Sequence, residues 1–147
     1  MGAGSGSISI EWLRAERTAE AVAIERNPDR AARIARNALA LGVPRLRIVT
    51  GQAPQALEAL PQPDAVFVGG AVSHRDVLES CFDRLRPGGR FVANAVTVEG
   101  EAGLFQFRER HGGELTRLSV SRLEPVGPSH GWRALRAVTQ LAATKPA

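Results

Sequence analysis

Through roughly residue 111, short apolar runs alternate with amphipathic stretches, and each pattern implies one element. Residues 21–25, AVAIE, form a brief continuous apolar run of the kind a buried strand shows. Asn27-Pro28 then supplies a helix cap and a proline at the first helical position. Ile34, Ala35, Ala38 and Leu41 recur at helical spacing until Gly42, a residue that readily ends helices. LRIVT at 46–50 predicts the next strand, PQALEAL at 54–60 a short helix, and DAVFVGG at 64–70 a third strand. Ser73 is placed to cap a helix carrying Val77, Leu78, Cys81, Phe82 and Leu85 on one side. RPGGRFVANAV predicts a turn and a fourth strand over 90–97, and residues 101–111 another helix. From about 114 the rhythm changes. ELTRLSVSRLEPV and WRALRAVTQLAAT are strand-like runs joined by GPSHG, a terminal antiparallel pair.

Strands alternating with helices imply a mainly parallel sheet with helices on both faces, an α/β doubly wound arrangement. No repeat, linker or low-complexity stretch interrupts the pattern, so residues 1–147 are expected to form one domain. A hydrophobic share of 44% supports a packed core. No apolar run approaches the roughly 20 residues of a membrane helix, and residues 1–20 lack the unbroken apolar core of a signal peptide. Cys81 stands alone, which excludes an internal disulfide and fits a reducing cytoplasm.

The formal charge of +4 rests on arginine, with Lys145 the single lysine. A basic balance can attract nucleic acid, an anionic membrane or a polyanionic small molecule. Here the basic residues are dispersed and aromatics are 5% of the chain with no tyrosine, which argues against a stacking platform for single-stranded nucleic acid. A carboxylate-rich ligand remains open. No histidine, cysteine or carboxylate pair has metal-ligand spacing, so no protein-bound metal is expected.

The candidate chemistry lies where a doubly wound sheet binds ligands, beyond the carboxyl ends of its strands. Gly2, Gly4 and Gly6 form a G-x-G-x-G turn that runs into helix-like sequence from Ser7. Glycines let the backbone approach a ligand, and free N–H groups at the helix start attract an anion such as a carboxylate. Strand AVAIE ends in Glu25, which can accept hydrogen bonds from two ribose hydroxyls. LRIVT ends in Gly51-Gln52-Ala53, and DAVFVGG in Gly69-Gly70. Together these features argue for a nucleoside-bearing cofactor. The dinucleotide fingerprint G-x-G-x-x-G would need a glycine where Ser7 stands. The form present suits S-adenosyl-L-methionine, which offers a carboxylate and a ribose but no pyrophosphate.

GAGSGSISIEW, AIERNPDRAARIARNALALGV, GQAPQAL, PDAVFVGGA and LRPGGRFVANAVTVE resemble class I methyltransferases, and within them the decarboxylating precorrin-6Y C(5,15)-methyltransferase family. The resemblance runs from Met1 to about Glu101 and more loosely through HGWRALRAVTQLAA. It implies a Rossmann-like sheet ending in an antiparallel hairpin, in the cytoplasm. It also implies that Gly2, Ala3, Gly4, Ser5 and Gly6 cradle the methionine end of the cofactor, that Glu25 takes the ribose, and that Gln52 and Ala53 border the adenine, with Gly69 beside them. The family usually has an aspartate at Gln52; a glutamine amide can still accept and donate. Relatives also carry a first strand and a helix before the glycine turn. Met1 falls where that strand's last apolar residue would be, so the first strand is expected to be missing from between AVAIE and DAVFVGG. Either Met1 is an internal methionine of a longer protein or the chain is a truncated copy.

The implied reaction is methylation of a corrin precursor at carbon 15 with decarboxylation of an acetate side chain, while a fused or separate partner domain handles carbon 5. Homo-oligomers are implied as well. The substrate bears many carboxylates, for which arginine and histidine are natural partners. Candidates near the cleft are His74 and Arg75, Thr97 and Glu99, and His130, Trp132 and Arg133, although Trp132 suits packing better. His111 reads only as a helix end, and Cys81 as core. Three rival readings stand beside this one. An RNA methyltransferase fits the basic charge but usually shows an N/D-P-P-[YFW] loop, where GGAVSH stands, or a catalytic cysteine. An oxidoreductase using NAD is opposed by the glycine spacing. An inactive fragment or scaffold subunit is consistent with the missing strand.

Overall fold

A computed structural model describes all 147 residues. In chain order the elements are α1 (Ser7–Ala15), β1 (Val22–Glu25), α2 (Pro28–Ala40), β2 (Arg47–Thr50), α3 (Gln55–Glu58), β3 (Ala65–Val68), α4 (Arg75–Asp83), β4 (Arg90–Ala95), α5 (Val98–His111), β5 (Glu114–Leu118), β6 (Ser121–Val126), β7 (Ser129–Ala134) and β8 (Val138–Thr144). β1 pairs with β2 and β3 with β4, both in parallel. β8 runs antiparallel between β4 and β5, giving the order β3-β4-β8-β5.

Local chemistry sets most boundaries. The Asn27 side chain accepts from the Arg30 N–H at 3.0 Å, Pro28 opens α2, and Gly42 follows it in the left-handed region at φ 76°. Ala31, Ile34 and Ala38 form the buried face of that helix. α5 begins earlier than its apolar pattern indicates, at Val98, because the Thr97 hydroxyl accepts from the Gly100 N–H at 3.2 Å and ends β4 at Ala95. Glu99 and Glu101 lie in its first turn and Arg108, Arg110 and His111 in its last, complementing the helix dipole. Ser73 does not cap α4; that position belongs to His74, whose side chain makes no capping bond.

The helices cover both faces of the sheet. Neighbouring strand residues point to opposite sides, and β1 shows it: Ala23 joins Ile10, Leu13, Ile34 and Ala38 under α1 and α2, whereas Ile24 joins the larger core under α3, α4 and α5. That larger core is centred on Phe82, Phe91 and Phe107, with Phe91 and Phe107 stacked at 4.8 Å and Phe82 edge-on to both. Cys81 is fully buried among them, and burial pushes its thiol up to about 11.

The terminal antiparallel pair is present but divided. β5 and β8 stay in the main sheet, where Thr139, Leu141 and Ala143 are buried. β6 and β7 form a separate ribbon turning at Gly127. The break falls where the inward apolar alternation stops, since the ribbon offers the core no buried side chain. Trp132, which suits packing by its type, is 74% exposed there.

No strand lies between β1 and β3. Met1–Ala3 alone bridge them at one end: the Met1 amino group donates to the Phe67 carbonyl at 2.7 Å, Gly69 N–H donates to the Met1 carbonyl at 2.9 Å, and Ala3 N–H donates to the Ile24 carbonyl at 3.2 Å. Burial lowers the pKa of that amino group, against the smaller raising effects of Cys81 and Glu25. No helix is long and apolar enough to cross a membrane.

Candidate functional site

The glycine turn sits at the carboxyl ends of β1 and β3, and its shape follows from what each glycine must avoid. A side chain on Gly2 would place its Cβ 2.9 Å from the Gly70 backbone nitrogen. One on Gly6 would lie 2.7 Å from Ile34 of α2. Both have positive φ, 61° and 83°, which L side chains rarely adopt. Gly4 is different. A Cβ there would meet nothing closer than the Gly2 carbonyl oxygen at 4.0 Å, so the middle of the turn faces open space. Asn37 of α2 fixes the turn from outside by donating to the Ser5 carbonyl at 2.9 Å, a contact that no local sequence signal marks.

Glu25, the last residue of β1, points into this turn. One carboxylate oxygen accepts from the Gly4 N–H at 3.0 Å and the other from the Asn27 N–H at 3.1 Å. The residue is only 3% exposed. Burial alone pushes its pKa up, but the two N–H donors and the charge of Arg30 outweigh it and hold the carboxyl below its ordinary value. A carboxylate has about four lone-pair sites, so each Glu25 oxygen keeps capacity for a further donor.

The nine candidate cofactor residues come together at one edge. Gly51 N–H donates to the Glu25 carbonyl at 3.1 Å, which brings Gln52, exposed, and Ala53, buried, alongside. Gly69 packs its backbone against Gly2. The candidate substrate residues spread more widely. His74 and Arg75 start α4 and are exposed, with Arg75 leaning to Glu79 at 3.8 Å. The Thr97 hydroxyl is occupied in capping α5, while Glu99 is exposed beside it. His130, Trp132 and Arg133 lie on the ribbon, where Arg133 bonds Glu124 at 3.2 Å.

Two networks escape sequence reading because they join residues distant in the chain. Glu79 of α4 holds both Arg110, at 2.6 Å, and His111, at 2.7 Å, from the last turn of α5. His111 also lies against the rings of Phe82 and Phe107, so it does more than end a helix. At the carboxyl edge, the Glu101 carboxylate accepts from Thr139 and from Arg117, each at 2.6 Å.

A glycine turn whose backbone converges with a buried acid, at the carboxyl edge of a parallel sheet, can hold a nucleoside bearing an amino-acid tail. Residues 1–145 match the model of the precorrin methyltransferase domain. The chain is 50% identical over 99% of its length to a precorrin-6Y C(5,15)-methyltransferase (decarboxylating) from Sinorhizobium, of which it spans 35%. It is 30% identical to a cobalt-precorrin-6B C(15)-methyltransferase (decarboxylating) from Salmonella typhimurium, covering 99% of this chain and 77% of that protein. Among solved structures, the C-terminal domain of the precorrin-6Y C5,15-methyltransferase from Rhodobacter capsulatus superposes with a TM-score of 0.89 at 43% identity, over 98% of this chain and 77% of that one.

Proposed function

Because the chain belongs to the precorrin methyltransferase domain family, we propose that it transfers a methyl group from S-adenosyl-L-methionine to carbon 15 of a corrin precursor of the precorrin-6Y or 6B type, with decarboxylation of an acetate side chain. The observation that carries this reading is the bond between Gly4 N–H and the Glu25 carboxylate at 3.0 Å. It brings the glycine turn and the ribose-binding acid to one place, and the open middle of the turn leaves room for the ligand.

S-adenosyl-L-methionine, when bound, supplies an electrophilic methyl group on a sulfonium centre. Glu25 would accept from the ribose hydroxyls, the backbone of Gly2, Ala3, Gly4, Ser5 and Gly6 would hold the methionine end, and Gln52 with Ala53 would border the adenine beside Gly69. An electron-rich tetrapyrrole is itself the nucleophile and can delocalise the electrons left by departing carbon dioxide. The chain therefore needs no nucleophilic side chain; its work is to position two reactants and exclude water. His74, Arg75, Glu99, His130 and Arg133, all exposed, are the proposed contacts for the polar groups of the substrate.

In this reading residues 1–147 act as one methyltransferase domain, with Met1–Ala3 at the first-strand position between β1 and β3. The chain spans 35% of the Sinorhizobium C(5,15) enzyme, and carbon-5 methylation is assigned to a separate or fused domain. Self-association belongs to the same proposal, supported by the exposed Leu123, Val126 and Trp132 of the ribbon. The test is calorimetric titration with S-adenosylhomocysteine, followed by incubation with precorrin and S-adenosyl-L-methionine. One site per chain, and a product that has gained a methyl group and lost carbon dioxide, are expected. A folded chain that binds no S-adenosylhomocysteine overturns the reading.

A further inference from the structure

The carboxyl edge holds a second polar constellation, at the far side of the sheet from the glycine turn. Arg117 of β5 lies directly opposite Thr139 of β8, which lies opposite Ala95, the last residue of β4. The three positions are therefore level with the end of the parallel strands. α5 brings Glu101 down onto them from its first turn. Arg117 donates through Nε to the Thr139 hydroxyl at 3.2 Å and through Nη2 to Glu101 at 2.6 Å, while the Thr139 hydroxyl donates to the same Glu101 oxygen at 2.6 Å.

This arrangement fixes an arginine in an unusual way. Thr139 is 4% exposed and Glu101 half-buried, yet the Arg117 side chain is 57% exposed. A guanidinium is a planar fork with five donors. Nε and Nη2 each spend a donor, on Thr139 and on Glu101, while Nη1 makes no bond to the protein and the side chain stays largely exposed. Such a rigid fork suits bidentate capture of a carboxylate.

Its position also suits a large ligand. Contacts run continuously along the edge: Gly2 meets Gly70, and the α5 backbone at Gly103 is so close to the Val72 carbonyl that a Cβ would lie 2.4 Å from it. The next element in this series is the Glu101–Arg117 pair. Three strand spacings separate β3 from β5, roughly 14 Å in all, a span that fits a macrocycle with peripheral acids better than a small acceptor. The ribbon continues from the same edge and sets Arg122 directly opposite Arg133, with Glu124 bonding only the latter. Like charges facing each other across a strand pair are unfavourable, and Glu124 offsets this pair from the Arg133 side alone.

We propose that Arg117 is a substrate-binding residue that clamps a peripheral carboxylate of the tetrapyrrole, with Glu101 and Thr139 as its positioning residues; this rests on the methyltransferase reading above. The test uses the full chain and uroporphyrin, a tetrapyrrole with carboxylates on every ring, followed by fluorescence titration at low and moderate salt without cofactor. Arg117→Gln should weaken binding about tenfold, as loss of a charge-assisted contact does, and should reduce the salt dependence. Arg117→Lys keeps the charge but loses the fork and should recover only part of the affinity. Thr139→Val, which leaves the arginine charged but unaligned, should fall between parent and Arg117→Gln. Arg86→Gln is the control, because Arg86 pairs with Asp64 at the opposite edge of the sheet, and it should bind as the parent does. Parent-like affinity in both Arg117 variants overturns the proposal, as does an equal loss in Arg86→Gln. Failure of the parent to bind S-adenosylhomocysteine would sink the methyltransferase reading instead, while the cofactor-free titration still decides Arg117.

Discussion

Replacing Glu25 with glutamine tests the centre of the site. The substitution keeps the shape of the side chain but turns one accepting oxygen into an NH2 group. In the structure both oxygens are used, by Gly4 N–H at 3.0 Å and Asn27 N–H at 3.1 Å. A glutamine can satisfy only one of them, whichever way its amide is turned. The other N–H is left facing a donor in a residue that is 3% exposed. An unsatisfied buried donor costs about 1–3 kcal/mol. For a chain of this size that lowers the melting temperature by roughly 2–12 °C. Binding should suffer separately, because the ribose hydroxyls lose a charged acceptor. Hydrogen bonds to charged groups contribute about 1.5–3 kcal/mol, so S-adenosylhomocysteine affinity should fall roughly 10- to 150-fold. Thermal denaturation without ligand reads the first effect and calorimetric titration the second. An unchanged melting temperature would refute the claim that the carboxylate holds the turn. Unchanged affinity in a folded variant would refute its role toward the ribose.

Acid stability should depend on Glu79. Burial raises its pKa, but the hydrogen bonds and charges of His111 and Arg110 outweigh this and hold it below the ordinary 4.5. A depressed carboxylate contributes stability that is complete above its unfolded pKa and lost as pH falls through the folded value. Denaturant midpoints should therefore drop below about pH 4.5, and Glu79→Gln should flatten that drop; an equally steep acid limb in the variant contradicts the assignment. Cys81, buried with its thiol raised to about 11, should react with an aromatic disulfide reagent only as fast as the whole chain unfolds. Faster labelling would mean that α4 opens locally. If the ribbon mediates self-association, Trp132→Ser should shift the sedimentation profile toward smaller species while leaving S-adenosylhomocysteine affinity unchanged. A parent that stays monomeric at high concentration removes that proposal.

Much of this protein was legible along the chain. Short-range chemistry wrote α2, since Asn27, Pro28 and Gly42 act within a few residues of themselves, and the apolar runs marked β1 to β4 because parallel strands flanked by helices are largely apolar, even where, as in β2, no residue is fully buried. The glycine turn and Glu25 were legible for the same reason: each ends or begins an element whose period the sequence shows. The boundaries that slipped were set by competition between neighbours. Thr97 claimed the start of α5, and His74 rather than Ser73 took the start of α4. What only the tertiary structure decided was contact at a distance. Asn37 on the Ser5 carbonyl, Arg110 and His111 on Glu79, and Glu101 between Thr139 and Arg117 depend on which helix crosses which strand. The terminal run likewise carries two strand patterns that look alike in composition. The return of β8 between β4 and β5 buried Thr139, Leu141 and Ala143, whereas β5 at the sheet edge and the ribbon of β6 and β7 kept no residue fully buried, because only the strand flanked on both sides finds an apolar layer to face.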